Sequence, residues 1–131
     1  MVEQVEMNQE CEFEPPFPAL SIQSKILLSR CIYALDHFRA LANDLPLQAA
    51  CIIILVAKQP GITVRELMAR SKLSQSSCSR NIALLSETNR HGQPGLNVIE
   101  ARPDPTDSRR YTLYLTAKGE EFAALLKDIF R

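Results

Sequence analysis

Residues 102–110 read RPDPTDSRR, and they separate two segments that alternate like β-strands, LNVIEA (96–101) and RYTLYLT (110–116). In the second, Tyr111, Leu113 and Leu115 alternate with Arg110, Thr112 and Tyr114, the period-two pattern of a half-buried strand. A hairpin turn takes roughly two to five residues, and Asn-Gly or Asp-Gly is sufficient for it. The arginines (Arg102, Arg109, Arg110), aspartates (Asp104, Asp107) and prolines (Pro103, Pro105) are therefore surplus to turning the chain. Taken alone, such a tip is most simply a solvated loop whose charges keep a β edge from aggregating. Its neighbours decide otherwise.

Immediately upstream, ITVRELMARSKLSQSSCSRNIALL (62–85) carries two helix starts. Thr63 with Glu66 three residues later matches a capping box, and Ser74 supplies a second N-cap. A short helix, a tight turn and a longer helix that opens on small polar residues is the build of a helix-turn-helix, whose second helix enters the major groove of DNA. A two-stranded wing placed directly after it makes a winged helix. On this reading Ser74, Gln75, Ser76, Ser77, Ser79 and Arg80 face the major groove. Gln75 suits bidentate contact with adenine, and short hydroxyls approach several bases. Arg109 suits the minor groove, whose negative potential attracts arginine. Asp107 would be repelled by phosphate, so its expected role is to hold Arg109 by hydrogen bonds. Arg102 and Arg110 are expected to meet phosphates. The competing reading of 63–87 is a helical hairpin packed only for stability, with its serines serving as caps.

Further out, SIQSKILLSRCIYALDHFRALAN (21–43) repeats apolar residues at helical spacing. Ile22, Ile26, Ile32, Leu35, Phe38 and Leu41 are expected on one side, and Leu27, Leu28 and Tyr33 widen the stripe enough for a partner chain. Pro46 suits the first turn of a second helix that runs through AACIIILVA (49–57) until QPG (59–61) stops it. Phe122, Leu125, Leu126 and Ile129 mark a closing amphipathic helix. The expected fold is mainly α with a small β-hairpin, a winged helix-turn-helix of order α-α-α-α-β-β-α. The domain layout is an acidic, flexible arm over residues 1–20 and a winged-helix DNA-binding domain over 21–131, with the first and last helices for dimerisation.

The residues resemble the MarR family of winged-helix transcriptional regulators. Asp104, Pro105, Asp107 and Arg109 match that family's wing segment D-P-x-D-x-R, and Leu115, Thr116 and Gly119 follow at its spacing. The stretch 62–85 is similar to its helix-turn-helix, and the resemblance covers roughly residues 21–131. It implies a homodimer through residues 21–43 and 117–131, binding to a palindromic stretch of double-stranded DNA, and repression relieved by a small-molecule effector or by cysteine oxidation. It makes Cys31, on the first helix, the redox candidate. Three departures stand out: Ala101 where the family commonly has Arg or Lys, a longer loop TNRHGQPGLN (88–97), and an end at Arg131 about one helix before that of typical members.

Composition sets the outer limits. With 131 residues, 46% hydrophobic and 23% charged, the chain suits one globular domain. The net charge of zero conceals an asymmetry: residues 1–20 hold five glutamates and no Lys or Arg, leaving 15 basic against 10 acidic residues in the remainder. This permits nucleic-acid binding without demanding it. Cys11, Cys31, Cys51 and Cys78 show no close pairing, and Cys51 and Cys78 are expected in the core. His37 and His91 lack ligand spacing, and no phosphate loop, nucleophile elbow or carboxylate pair is present. The expectation is a cytoplasmic, nucleoid-associated non-enzyme without metal or cofactor. The alternative is a winged-helix protein–protein interaction module, such as a phage or mobile-element factor, with weak or no DNA binding. The acidic arm and the zero net charge favour it.

Overall fold

The computed structural model describes residues 18–89 and 91–131, so most of the expected acidic arm lies outside the described residues. Among the described residues, side-chain caps open four of the five helices. Helix α1 (Ile22–Leu41) opens where the Ser21 hydroxyl accepts the Ser24 N–H at 3.1 Å. Helix α2 (Leu47–Lys58) has no such cap; Pro46, at φ −62°, stands just before it rather than in its first turn. Thr63 accepts the Glu66 N–H at 3.1 Å and opens α3 (Val64–Ser71). The expected return bond to the Thr63 backbone is replaced. The Glu66 carboxylate accepts the Thr63 hydroxyl at 3.2 Å and the Gln59 amide at 2.6 Å. Ser74 accepts the Ser77 N–H at 3.1 Å and opens α4 (Gln75–Leu85), and Thr116 does the same for Gly119 at the start of α5 (Ala117–Ile129).

The described residues form three antiparallel strands rather than a hairpin alone: β1 (Ile62–Thr63), β2 (Ile99–Pro103) and β3 (Tyr111–Leu115), in the order β1-β3-β2. Ile62 pairs with Leu113 and Thr63 with Thr112, while Ala101 and Arg102 face the same two residues from the other side. A two-residue strand is too short to show alternation, which is why the sequence pattern does not announce β1. Gly61 leads into it at φ +85°, a conformation that side chains with a Cβ disfavour, and its N–H reaches the Leu113 carbonyl at 2.8 Å.

Helix α2 is the centre of the core. Ala49, Ile52, Ile53 and Val56 recur at i, i+3, i+4 and i+7 and are all buried. Each of the larger three contributes roughly 1.5–3 kcal/mol on burial. They meet Ile62, Leu67, Cys78, Leu85, Val98, Ile99, Leu113 and Phe122. Cys51, expected in this core, is exposed, because the helical repeat turns it away from the side that carries Ile52, Ile53 and Val56. Cys78 is buried as expected.

Two further expectations are corrected. On α1 only Phe38 of the predicted stripe is buried, joined by Ala34, while Ile22, Ile26, Ile32 and Leu35 are exposed. The helix packs chiefly on α5, and its aromatic contact lies near its C-terminal end, where Phe122 stacks on His37 at 4.0 Å and tilts against Phe38 at 5.1 Å. On β3, Leu113 and Thr112 are both buried whereas Tyr111, at the wing end of the strand, is exposed. Among the described residues no helix is long and apolar enough to cross a membrane.

The seam between the wing and α5 explains the Leu-Thr-x-x-Gly spacing. The Thr116 N–H donates to the Val98 carbonyl at 3.0 Å and its hydroxyl to the Asn97 carbonyl at 2.7 Å. A Cβ on Gly119 would stand 2.0 Å from the Val98 carbonyl oxygen, and neither backbone can yield locally. Gly119→Ala is expected to destabilise the fold by about 1–3 kcal/mol, the cost of overpacking a tight site, read from urea denaturation of both proteins.

Candidate nucleic-acid interface

The charged tip builds itself from its own aspartates. The Asp104 carboxylate accepts the Thr106 N–H at 2.9 Å and the Thr106 hydroxyl at 2.8 Å. The Asp107 carboxylate accepts the Arg109 N–H at 3.1 Å and the Arg109 Nε–H at 3.2 Å, with Arg110 Nε 3.7 Å from its other oxygen. Backbone bonds from Asp104 N to the Arg110 carbonyl (2.9 Å) and from Arg110 N to the Asp107 carbonyl (3.0 Å) close the turn. Arg109 is thus aimed by Asp107, as the sequence suggested, while its side chain stays 89% exposed. The Arg109 N–H and then its guanidinium hold the Asp107 carboxyl below the ordinary aspartate range. The Thr106 N–H and then its hydroxyl do the same for Asp104.

Helix α4 presents the other half. Cys78, Asn81 and Leu85 face the core, so Ser76, Ser79, Arg80 and Ala83 fall on the outward side at 100° per residue. Ser74 and Ser77 are partly committed to one another: Ser74 caps the helix and donates to Ser77 Oγ at 3.2 Å. Arg80 Nη2 donates to the same Ser77 oxygen at 3.3 Å, which lays its guanidinium along the helix flank. Buried Asn81 anchors the helix from behind, donating to the Ser77 carbonyl at 2.8 Å and to Gln48 Oε1 of α2 at 3.2 Å.

Helix and wing meet across a groove of about 540 Å³. Gln75 and Ser79 line one wall, Arg109, Arg110 and Tyr111 the other, and Thr63, Val64, Arg65, Glu66 and Met68 the rest, with the Glu66 carboxylate held by Thr63 and Gln59. Four residues singled out from the sequence therefore share one concavity. Arg102 does not join them. It bonds the Glu100 carboxylate, lies 4.2 Å over the Tyr114 ring, and lines a separate cavity with Lys58, Leu126 and Lys127. Sequence reading missed Arg65, whose place beside the wing follows from the β1–β3 pairing. It also missed Asn81, whose only signal was a polar residue on the inner repeat of α4. Cys31 is exposed on α1, with no other predicted site residue on that helix. No cluster of three or more metal-ligating side chains occurs among the described residues.

A family model described as the MarR family matches residues 43–89, which span α2 to α4. No curated protein matches the chain. Among solved structures, the chain is similar to a crystal structure of MarR at 25% identity, over 82% of this chain and 72% of that one, with a TM-score of 0.57. It is also similar to a MarR transcriptional regulator from Methanosarcina mazei Go1, at 19% identity over 81% and 69% of the two chains and a TM-score of 0.59. A third likeness is to S. aureus MepR in its DNA complex, at 17% identity over 83% and 79% of the chains and a TM-score of 0.61. The last two speak for the fold.

Because both aspartate pKa values lie below the ordinary 3.8, the contacts that order the tip are at full strength above that value and fade as pH falls through the lower folded-state values. The Arg109 Nε–H resonance is therefore expected to stay in place from about pH 8 to pH 5 and to shift only below about pH 4, followed by NMR titration.

Proposed function

We propose that the chain is a member of the MarR family and a dimeric, sequence-specific DNA-binding repressor that reads a major groove with α4 and the adjacent minor groove with its wing. MarR-family chains are transcription regulators, not enzymes. One observation carries the proposal: Gln75, Ser79, Arg109 and Arg110 converge on one groove, with Arg65 beside them. A sugar-phosphate strand must separate any major groove from its neighbouring minor groove. A protein that enters both needs a basic channel between the two reading elements. Here Arg65 and Arg110 suit that strand, while Ser74, Gln75, Ser76, Ser77 and Ser79 serve the major groove and Arg80 its far edge. Arg109, braced by Asp107, serves the minor groove.

Arg102 stands outside this groove, stacked on Tyr114 and bonded to Glu100. There it stiffens the wing's base, and its exposed guanidinium is still open to a phosphate. Relatives lend support of two kinds. The S. aureus MepR structure of similar fold is a DNA complex, and the residues that match the family model include the whole helix-turn-helix.

Dimerisation through α1 and α5 belongs to the same proposal. Ile22, Ile26, Leu27, Leu28, Ile32, Tyr33 and Leu35 of α1, with Leu125 and Phe130 at the end of the chain, leave an apolar surface exposed that a second copy would cover. Ile32→Glu is expected to shift a dimer to monomer in sedimentation velocity while circular dichroism keeps the helix content, since Ile32 is 58% exposed in the single chain.

The DNA reading is tested by selecting bound duplexes from a randomised pool and titrating variants on the enriched sequence. Enrichment of an inverted repeat is expected. Arg109→Ala should then weaken specific binding by about 1–3 kcal/mol and relax preference under the wing. Arg110→Ala should weaken all sequences alike and reduce the slope of log affinity against log salt by about 0.9. Failure to enrich any sequence would instead favour a protein-interaction module.

A further inference from the structure

Helix α4 has a second flank. Gln75 and Ser79 look toward the wing groove, whereas Arg80 and Leu84 look the other way and line a separate concavity of about 510 Å³ with Ala83, Asn89 and His91. Asn89 and His91 belong to the segment after α4 that the sequence marked as unusually long.

That segment is fastened at both ends. Leu96 N donates to the Leu84 carbonyl at 2.9 Å, Gly95 N to the Glu87 carbonyl at 2.9 Å, and Thr88 bridges Pro94. Asn89 organises the interior: its side-chain oxygen accepts the N–H groups of His91 (2.9 Å) and Gln93 (3.0 Å), and its own N–H donates to the Gln93 carbonyl at 2.8 Å. The described residues of the loop, 88–89 and 91–97, therefore form a hydrogen-bonded ridge beside the recognition helix. With these amides consumed internally, what it offers outward is side chains. His91 is exposed next to Arg80, and Glu87, the acid nearest in sequence, does not line the concavity.

A helix of roughly 10–12 Å diameter seated in a major groove about 12 Å wide has a phosphate strand along each flank. The wing groove accounts for one strand. We propose that the concavity between Arg80 and His91 receives the other, so that the loop after α4 acts as a second, shorter wing and α4 is clamped between two phosphate strands. Arg80 then meets a phosphate rather than a guanine, in keeping with the hydrogen bond that draws its guanidinium back along the flank toward Ser77. The inference rests on the DNA-binding reading and extends its footprint to the side away from the wing.

Hydroxyl-radical footprinting of the full chain on its selected inverted-repeat duplex separates the two. The wild type is expected to protect the backbone on both sides of each half-site's major groove. Arg80→Ala and His91→Ala should each lose protection only on the strand away from the wing, with affinity falling roughly two- to tenfold, the scale of one hydrogen bond. Arg80→Ala should also reduce the salt slope by about 0.9. Arg109→Ala should do the converse, losing the minor-groove protection and keeping that of the far strand. If Arg80→Ala and His91→Ala retain the wild-type footprint and affinity while Arg109→Ala does not, the second clamp is wrong and DNA reading by the wing stands. If the wild-type chain protects no duplex, both fall together.

Discussion

The pairing of Ile62 and Thr63 with Leu113 and Thr112 is the constraint on which the remaining geometry depends. These two residues tie the front of the helix-turn-helix to the wing strand β3 through backbone hydrogen bonds, as Leu96 and Val98 tie the end of α4 to the segment entering β2. The first tie is reinforced by the Gly61 N–H on the Leu113 carbonyl and by the burial of both Ile62 and Leu113. The pairing sets how far Gln75 and Ser79 stand from Arg109 and Arg110, and so the width of the channel between them. Without it the wing would be an isolated two-stranded hairpin, which is marginal in water. Held as the outer part of a three-stranded sheet, the tip can carry charge without having to supply its own stability.

A net charge of zero would ordinarily argue against a polyanion as partner, yet the acids near the channel are committed. Asp107 accepts from Arg109, Asp104 from Thr106, Glu66 from Gln59 and Thr63, and Glu100 from Arg102. These carboxylates order loops and helix starts, and the arginines they touch are aimed rather than withdrawn: Arg109 is bonded at Nε and remains largely open to solvent. Counting charges over a chain therefore understates what one face can offer. The relevant quantity is which cations remain accessible after the structure has used the anions.

The parts of this arrangement that are local in sequence are the parts that could be read from it. Thr63 and Ser74 announce helix starts because a cap and its N–H lie within three residues, and Asp107 announces its grip on Arg109 for the same reason. What depended on distant chain segments was not legible. Cys51 lies in an apolar run yet faces outward, since a run of nine apolar residues is longer than one buried face can use. The predicted stripe of α1 was sound as a periodicity but not as a burial pattern, because among the described residues its buried positions, Ala34 and Phe38, lie toward the end that meets Phe122. Arg102 sits among the charged residues of the tip in sequence, but pairs with Thr112 in the sheet and turns to Tyr114. Strand register, which a nine-residue stretch cannot express, decides where it sits.

The same register argument reaches α5. Thr116 is bonded by its N–H to Val98 and by its hydroxyl to Asn97, Lys118 reaches the Leu96 carbonyl at 2.9 Å, and the missing Cβ of Gly119 lets the helix settle against the Val98 carbonyl. Four contacts from three residues within the span 116–119 leave α5 no room to rotate relative to the strand that begins the wing. Phe122, one turn later, carries α1 through its contacts with His37 and Phe38. The exposed apolar helix and the charged tip are thus opposite ends of a single rigid path. It follows that whatever covers α1 also fixes the orientation in which the wing is presented.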